Sequence, residues 1–142
     1  LRPARFVTKK IVSAACRIAA GSREQLQLGN IAIRRDWGWA PEYVEAMWLI
    51  MQQGTPDDFV IATGESHSLE EFAAAAFAQV RLDWREHVVI DRDLFRPTEI
   101  AVSRGNPRKS RETFGWQARC KMPQVVTLMV EDELRHLKGY EA

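Results

Sequence analysis

Apolar residues recur at helical spacing in several separated stretches of the chain, and the breaks between those stretches carry glycine, proline and charge. Val7, Ile11, Ala14, Ala15 and Ile18 fall three or four residues apart and predict a first helix over residues 6–20, stopped by Gly21. Thr8, Lys9 and Lys10 lie in its first turns and read as a solvated polar face, since cations near a helix N-terminus gain nothing from its dipole. Residues 25–28 then predict a short strand. A second helix, over residues 41–53, opens with Pro41 in its first turn, where a missing N–H costs nothing, and sets Val44, Met47, Trp48 and Met51 on one face.

Gly54, Pro56 and two aspartates break that helix. The compact apolar run Phe59-Val60-Ile61-Ala62 that follows is short enough to predict a buried strand. Ser68 and Glu71 form a capping-box pattern in front of a third helix, whose stripe is Leu69, Phe72, Ala73, Ala76, Phe77 and Val80. Val88, Val89 and Ile90 predict another short strand, and residues 99–103 a further one. Asn106-Pro107 has the form of a helix start and Phe114-Gly115 that of its stop. A last helix over residues 123–137 would turn Val126, Met129, Val130, Leu134 and Leu137 inward.

Composition narrows the class. At 142 residues, 46% hydrophobic and 27% charged, the chain has the make-up of one ordinary globular domain with its own core. A net charge of +1 lacks the basic excess of a nucleic-acid binder, and no apolar run is long enough to span a bilayer. Cys16 and Cys120 stand far apart with no metal-ligand spacing, which fits a reducing compartment and a cytoplasmic location. The chain begins at Leu1 without an initiator methionine, and is read as part of something longer.

Candidate chemistry centres on residues 28–38, where an apolar turn runs into Arg34, Arg35, Asp36 and Trp37 between glycines. Arginine offers an anion a planar fork of permanent charge, and glycine lets backbone approach a ligand. From the residues alone, a bound anion and a solvated Arg35–Asp36 pair both fit. His67, His87 and His136 have no spacing that implies a metal or a triad, the eight glycines form no dinucleotide-binding pattern, and Tyr43 is followed four residues on by Met47 rather than lysine. The sequence thus shows ligand-binding features without a catalytic set.

Five motifs in order carry a resemblance over nearly the whole chain: Phe6-Val7-Thr8 with Lys10, Leu28-Gly29-Asn30 with Arg35-Asp36-Trp37-Gly38, residues 57–65, Phe95-Arg96-Pro97-Thr98-Glu99, and Gly115-Trp116. Together they resemble the C-terminal half of the GDP-mannose 4,6-dehydratases, which are extended short-chain dehydrogenases/reductases. The resemblance implies an α/β fold in which this chain is the substrate-binding lobe, helices with short strands, with the Rossmann domain largely missing. It makes residues 1–142 a C-terminal nucleotide-sugar-binding portion, of which about 28–63 would pack with the absent domain and leave apolar surface exposed.

For the site, the resemblance implies that Arg2 contacts NADP, bound mainly by the missing N-terminal domain. Leu1 stands where the family often has a second arginine, and Trp39 where many members carry histidine. Lys10 and the backbone at Val7 would approach the base and diphosphate of a GDP-sugar. Leu28, Gly29 and Asn30 would wrap the guanine, Arg35 and Arg96 hold the diphosphate, and Glu99 accept from the ribose hydroxyls. The intact enzyme would be a lyase that turns GDP-mannose into GDP-4-keto-6-deoxymannose on the way to GDP-fucose and other deoxyhexoses, assembled as a homodimer or homotetramer. The lobe of a related epimerase or reductase, and a non-catalytic nucleotide-binding module, are the alternatives.

Overall fold

A computed structural model of the chain describes residues 6–139. In chain order it contains α1 (Val7–Ala19), β1 (Leu26–Leu28), β2 (Arg34–Arg35), α2 (Ala40–Met51), β3 (His67–Ser68), α3 (Leu69–Gln79), β4 (Val88–Ile90), α4 (Arg108–Phe114) and α5 (Met122–Gly139). Single 3-10 turns lie at Trp84–Glu86 and Arg92–Leu94. This is the expected mixture of helices with short strands. No helix among the described residues is long and apolar enough to cross a membrane.

The main core sits where α1, α3 and α5 meet, each touching the other two. Ile11, Val12 and Cys16 enter it from α1, Phe72 and Phe77 from α3, and Val126 from α5, all fully buried. The capping box predicted for α3 is present: Glu71 N–H donates to Ser68 Oγ and Ser68 N–H to Glu71 Oε2, each at 3.0 Å. Two of the helix's free donors are satisfied in this way, which fixes where α3 starts and so which face turns inward. Leu69, Phe72, Ala73, Ala76 and Phe77 are buried as their spacing predicts, while Val80, at the cap position, is only partly so.

The first turns of α1 differ from expectation. Thr8 is buried, and the Lys9 ammonium pairs with Glu133 of α5 where both side chains are largely shielded from water. The reason is that α5 crosses the face that a helical wheel assigns to solvent. Val7 is exposed instead.

β1 and β4 pair in parallel, Leu26 opposite Val88 and Leu28 opposite Ile90. Parallel neighbours need a long crossover, and residues 29–87 supply it. β2 pairs antiparallel with β3, Arg34 opposite Ser68 and Arg35 opposite His67, a contact the sequence did not predict. The strand expected over residues 99–103 reduces to one bridge between Arg34 and Val102. Residues 59–62 form no strand; Val60 is exposed, Ala62 is buried, and the Phe59 ring meets Phe114 edge-on at 5.0 Å. No strand among the described residues lies alongside that run, so its apolar side chains are used singly rather than in a ladder.

α2 starts with its proline in the first turn, as predicted, but Val44, Met47, Trp48 and Met51 are each at least 60% exposed. Its inward residues are Ala46 and Glu42. Ala46 joins Trp116 and Ala118 in a second, smaller core. Glu42 is held there by N–H donors from Arg119 and Cys120, each at 3.1 Å, while its own backbone carbonyl accepts from Trp116 Nε1 at 3.1 Å. A buried carboxylate is tolerable because donors surround it. α4 begins where Asn106 Oδ1 accepts from Arg108 N–H and ends at Gly115, whose φ of +73° suits glycine. α5 runs slightly beyond the predicted span at both ends.

Candidate functional site

Two segments of chain, residues 26–35 and residues 88–102, run side by side and bring most of the predicted ligand-binding residues onto one seam. The seam starts as the β1–β4 ladder and continues past it, with Asp91 N–H donating to Leu28 O at 2.8 Å. At Gly29 the segments are so close that a Cβ would lie 2.8 Å from the Leu94 carbonyl oxygen, and that approach requires glycine. Further along, Arg34 N–H donates to Ala101 O at 2.7 Å and Ser103 N–H to Arg34 O at 2.9 Å.

Arg35 sits inside this seam. One terminal nitrogen donates to Ile100 O at 2.6 Å and to Arg34 O at 2.8 Å, and the other lies 3.7 Å from Glu99 Oε1. Arg35 and Glu99, expected to bind different parts of one nucleotide, thus hold each other, with side-chain exposures of 26% and 18%. The solvated Arg35–Asp36 pair is not formed. Asp36 turns instead to backbone N–H groups of Thr63, Gly64 and Gly105.

At the other end of the seam, Lys10 reaches from α1 to donate to Gln27 O at 2.6 Å, beside the Leu28-Gly29-Asn30 turn. Leu28 is buried in the core and serves as the turn's anchor. Asn30 Oδ1 accepts from Ala32 N–H at 3.0 Å, a local turn of the kind asparagine favours. Val7 lies one helical turn before Lys10, at the start of α1. Arg96 is exposed, and its guanidinium makes no hydrogen bond or ion pair among the described residues. Its backbone carbonyl accepts from Glu99 N–H at 3.2 Å, which folds residues 96–99 into a turn beside the seam. Arg2 lies outside the described residues.

Two clefts among the described residues lie away from the seam. One of about 880 Å³ is lined by Arg34, Glu71, Arg81, Trp84 and Arg85 among others. A second, of about 490 Å³, runs between α2 and residues 115–121. Of the candidate cluster at residues 28–38, the first takes in Ala32 and Arg34, and neither is lined by Arg35, Arg96 or Glu99. In the first, Arg34 is paired with Glu71 at 3.4 Å and Arg85 with Asp83 at 3.5 Å, while the Arg81 guanidinium makes no ion pair among the described residues. Arg96 lies beside the seam, outside the lining of both clefts.

No Tyr-x-x-x-Lys pair occurs among the described residues. Tyr43 has Met47 four residues on, and its ring fills the space over Gly38, where a Cβ would fall 2.2 Å from the hydroxyl oxygen. Burial first, and then Asp36 and Glu42, push its phenol up to about 12. No cluster of potential metal ligands occurs among the described residues.

Two carboxylates serve as anchors that the sequence did not indicate, Asp36 beside the seam and Glu42 in the second core. The partners of Asp36 lie 27 to 69 positions away and those of Glu42 more than 70, so no local spacing marks either. For Glu42 the one available signal was a carboxylate among apolar residues at the start of a helix.

The profile of the GDP-mannose 4,6 dehydratase family matches residues 1–129. A GDP-mannose 4,6 dehydratase of Arabidopsis thaliana is 47% identical over 133 residues, covering 94% of this chain and 37% of the relative. The human GDP-mannose 4,6 dehydratase is 36% identical over 154 residues, covering 96% and 41%. The chain therefore spans well under half the length of these curated relatives. Among solved structures, an RMD from Pseudomonas aeruginosa complexed with NADPH matches with a TM-score of 0.85 at 17% identity, over 95% of this chain and 44% of that one. A UDP-glucose 4-epimerase from Thermotoga maritima with UDP-glucose gives 0.80 at 19% identity, over 93% and 40%. These likenesses show the fold, which is that of part of each of those two proteins. With its motifs in family order and the family profile matching residues 1–129, this chain belongs to the GDP-mannose 4,6-dehydratase family.

Proposed function

We propose that the chain is the substrate-binding part of a GDP-mannose 4,6-dehydratase, the lyase that converts GDP-mannose to GDP-4-keto-6-deoxymannose with NADP in the cytoplasm. NADP supplies the hydride acceptor and donor, and a preceding domain holds it, touched from this chain by Arg2. The contribution of this chain is to bind and orient. Arg35 and Arg96 carry the diphosphate, Glu99 turns from Arg35 to the ribose hydroxyls, and Lys10, Val7 and the Leu28-Gly29-Asn30 turn hold the nucleoside end. Orientation matters here because two carbons of one sugar must meet the same cofactor, and fixed geometry removes much of the entropic barrier.

The observation that carries this reading is the placing of Arg35, Glu99 and the exposed, unengaged Arg96 on one seam in a member of this family. The exposed face of α2 is assigned to the missing Rossmann domain, and the intact enzyme to a homodimer or homotetramer. Titration of the chain with GDP by calorimetry tests the reading. Arg96→Ala should weaken GDP by about tenfold or more, the size of a lost charge-assisted hydrogen bond, and absence of GDP binding by the unaltered chain would sink the proposal. Tighter binding of UDP than of GDP would favour the lobe of a related epimerase, a reading prompted by the fold shared with a UDP-glucose 4-epimerase.

A further inference from the structure

We propose that Asp36 is a positioning residue for diphosphate binding, setting the Arg96–Glu99 turn beside Arg35; this rests on the substrate-binding role proposed above. Asp36 faces four donors. Oδ1 accepts from Thr63 N–H at 2.9 Å and from the Thr63 hydroxyl at 2.7 Å, and Oδ2 from Gly64 N–H at 3.0 Å and Gly105 N–H at 3.4 Å. It makes no ion pair among the described residues, so its charge is balanced by these donors. A carboxylate offers only acceptors, and a neutral amide in its place would turn an N–H₂ toward N–H groups.

The carboxylate closes a crossing with no slack. A Cβ on Gly105 would fall 2.2 Å from the Ala62 Cβ, so the chain at 105 lies directly on the chain at 62. From that crossing, residues 99–103 run back along β2, bonded to Arg34 N–H and C=O through Ala101 and Ser103, and present Ile100 O and Glu99 to the Arg35 guanidinium. The far end of the same segment is fixed independently, by Asp91 N–H on Leu28 O. Asp36 therefore anchors one end of the stretch that carries Arg96 and Glu99, while the Leu28-Gly29-Asn30 turn is anchored at the other. Loosening Asp36 should disturb the diphosphate end of the ligand and spare the nucleoside end.

Calorimetric titration of the chain with GDP and with guanosine separates this from a general structural role. Asp36→Asn should weaken GDP by about tenfold and leave guanosine unchanged, and Arg35→Ala should cost less in the Asp36→Asn background than alone, as expected of coupled neighbours. Thr63→Val, which removes the hydroxyl donor to Asp36 together with that hydroxyl's local bonds to Glu65, should give the same pattern in smaller measure and serves if Asp36→Asn does not fold. Equal weakening of both ligands, or GDP binding unchanged, would overturn the proposal. If the unaltered chain binds no GDP, the functional reading fails and amide hydrogen exchange judges the positioning alone. Faster exchange at residues 99–105 in Asp36→Asn, with α3 unchanged, supports it; unchanged exchange there refutes it.

Discussion

Glu99 holds Arg35 through an ion pair of 3.7 Å in a seam where both side chains are mostly covered, and Arg35 spends its other terminal nitrogen on two backbone carbonyls. The guanidinium is thereby fixed in direction before any anion arrives. A site whose cation is already oriented loses less side-chain freedom on binding than one built from a solvated arginine. Glu99→Gln should therefore act on two readouts at once. The preference for GDP over its 2′,3′-dideoxy form should shrink, because a carboxylate acceptor is lost, and diphosphate affinity should change by less than about tenfold, since Arg35 keeps its two carbonyl partners. Calorimetry with the two nucleotides checks it, and an undiminished preference would remove Glu99 from the ribose.

The crossing of residues 62 and 105 predicts an intolerance. Gly105→Ala puts a methyl 2.2 Å from the Ala62 Cβ and 3.3 Å from a Val60 methyl, so backbone must shift. A loss of roughly 1–3 kcal/mol in urea unfolding is expected from such overpacking. Gly54→Ala, with nothing within 4 Å of the added carbon, is the control and should be close to neutral.

Arg81 predicts the opposite. Its φ of 62° follows the end of α3 and is the left-handed conformation that side chains disfavour. Arg81→Gly relieves that strain and should stabilise the chain by about 0.5–1 kcal/mol, less whatever glycine gains in the unfolded state. A lowered urea midpoint would show that the arginine side chain contributes more than its backbone costs.

Glu133 predicts a pH dependence. Burial pushes its carboxyl up, but hydrogen bonds from Lys9 and Ser13 and the nearby charges of Lys9 and Arg17 outweigh that and hold it below the ordinary value of 4.5. A carboxyl whose folded value is depressed contributes stability that is complete above its unfolded value and is lost as pH falls through the folded one. Urea midpoints measured downward from pH 5 should fall for the unaltered chain, and fall less steeply for Glu133→Gln. Parallel curves would place the acid sensitivity elsewhere.

The apolar face of α2 predicts association. Val44, Met47, Trp48 and Met51 expose a contiguous stripe rarely left open on a monomer. The chain on its own should bind an apolar dye and self-associate at high concentration, and Trp48→Glu with Met51→Lys should reduce both without altering the urea midpoint. An unchanged sedimentation profile between variant and original would show that the stripe is not sticky.

Local chemistry alone determined the helices and the ends of most of them. The i, i+3, i+4 stripe of α3, the box formed by Ser68 and Glu71, the proline that opens α2 and the left-handed stop at Gly115 each act over a few residues, so their outcome is written in the residues themselves. The family motifs are equally local, and they marked Arg35, Arg96 and Glu99 as a set. Tertiary structure decided what lies across from each of these. Lys9 is shielded because α5 passes over it, Val60 joins no ladder because no strand among the described residues lies along it, the 99–103 stretch keeps a single bridge because β2 beside it is only two residues long, and Asp36 and Glu42 became anchors through partners dozens of residues distant. Periodicity reports which face of an element is apolar, but the element that covers that face, or leaves it open as on α2, is fixed only when the whole chain closes on itself.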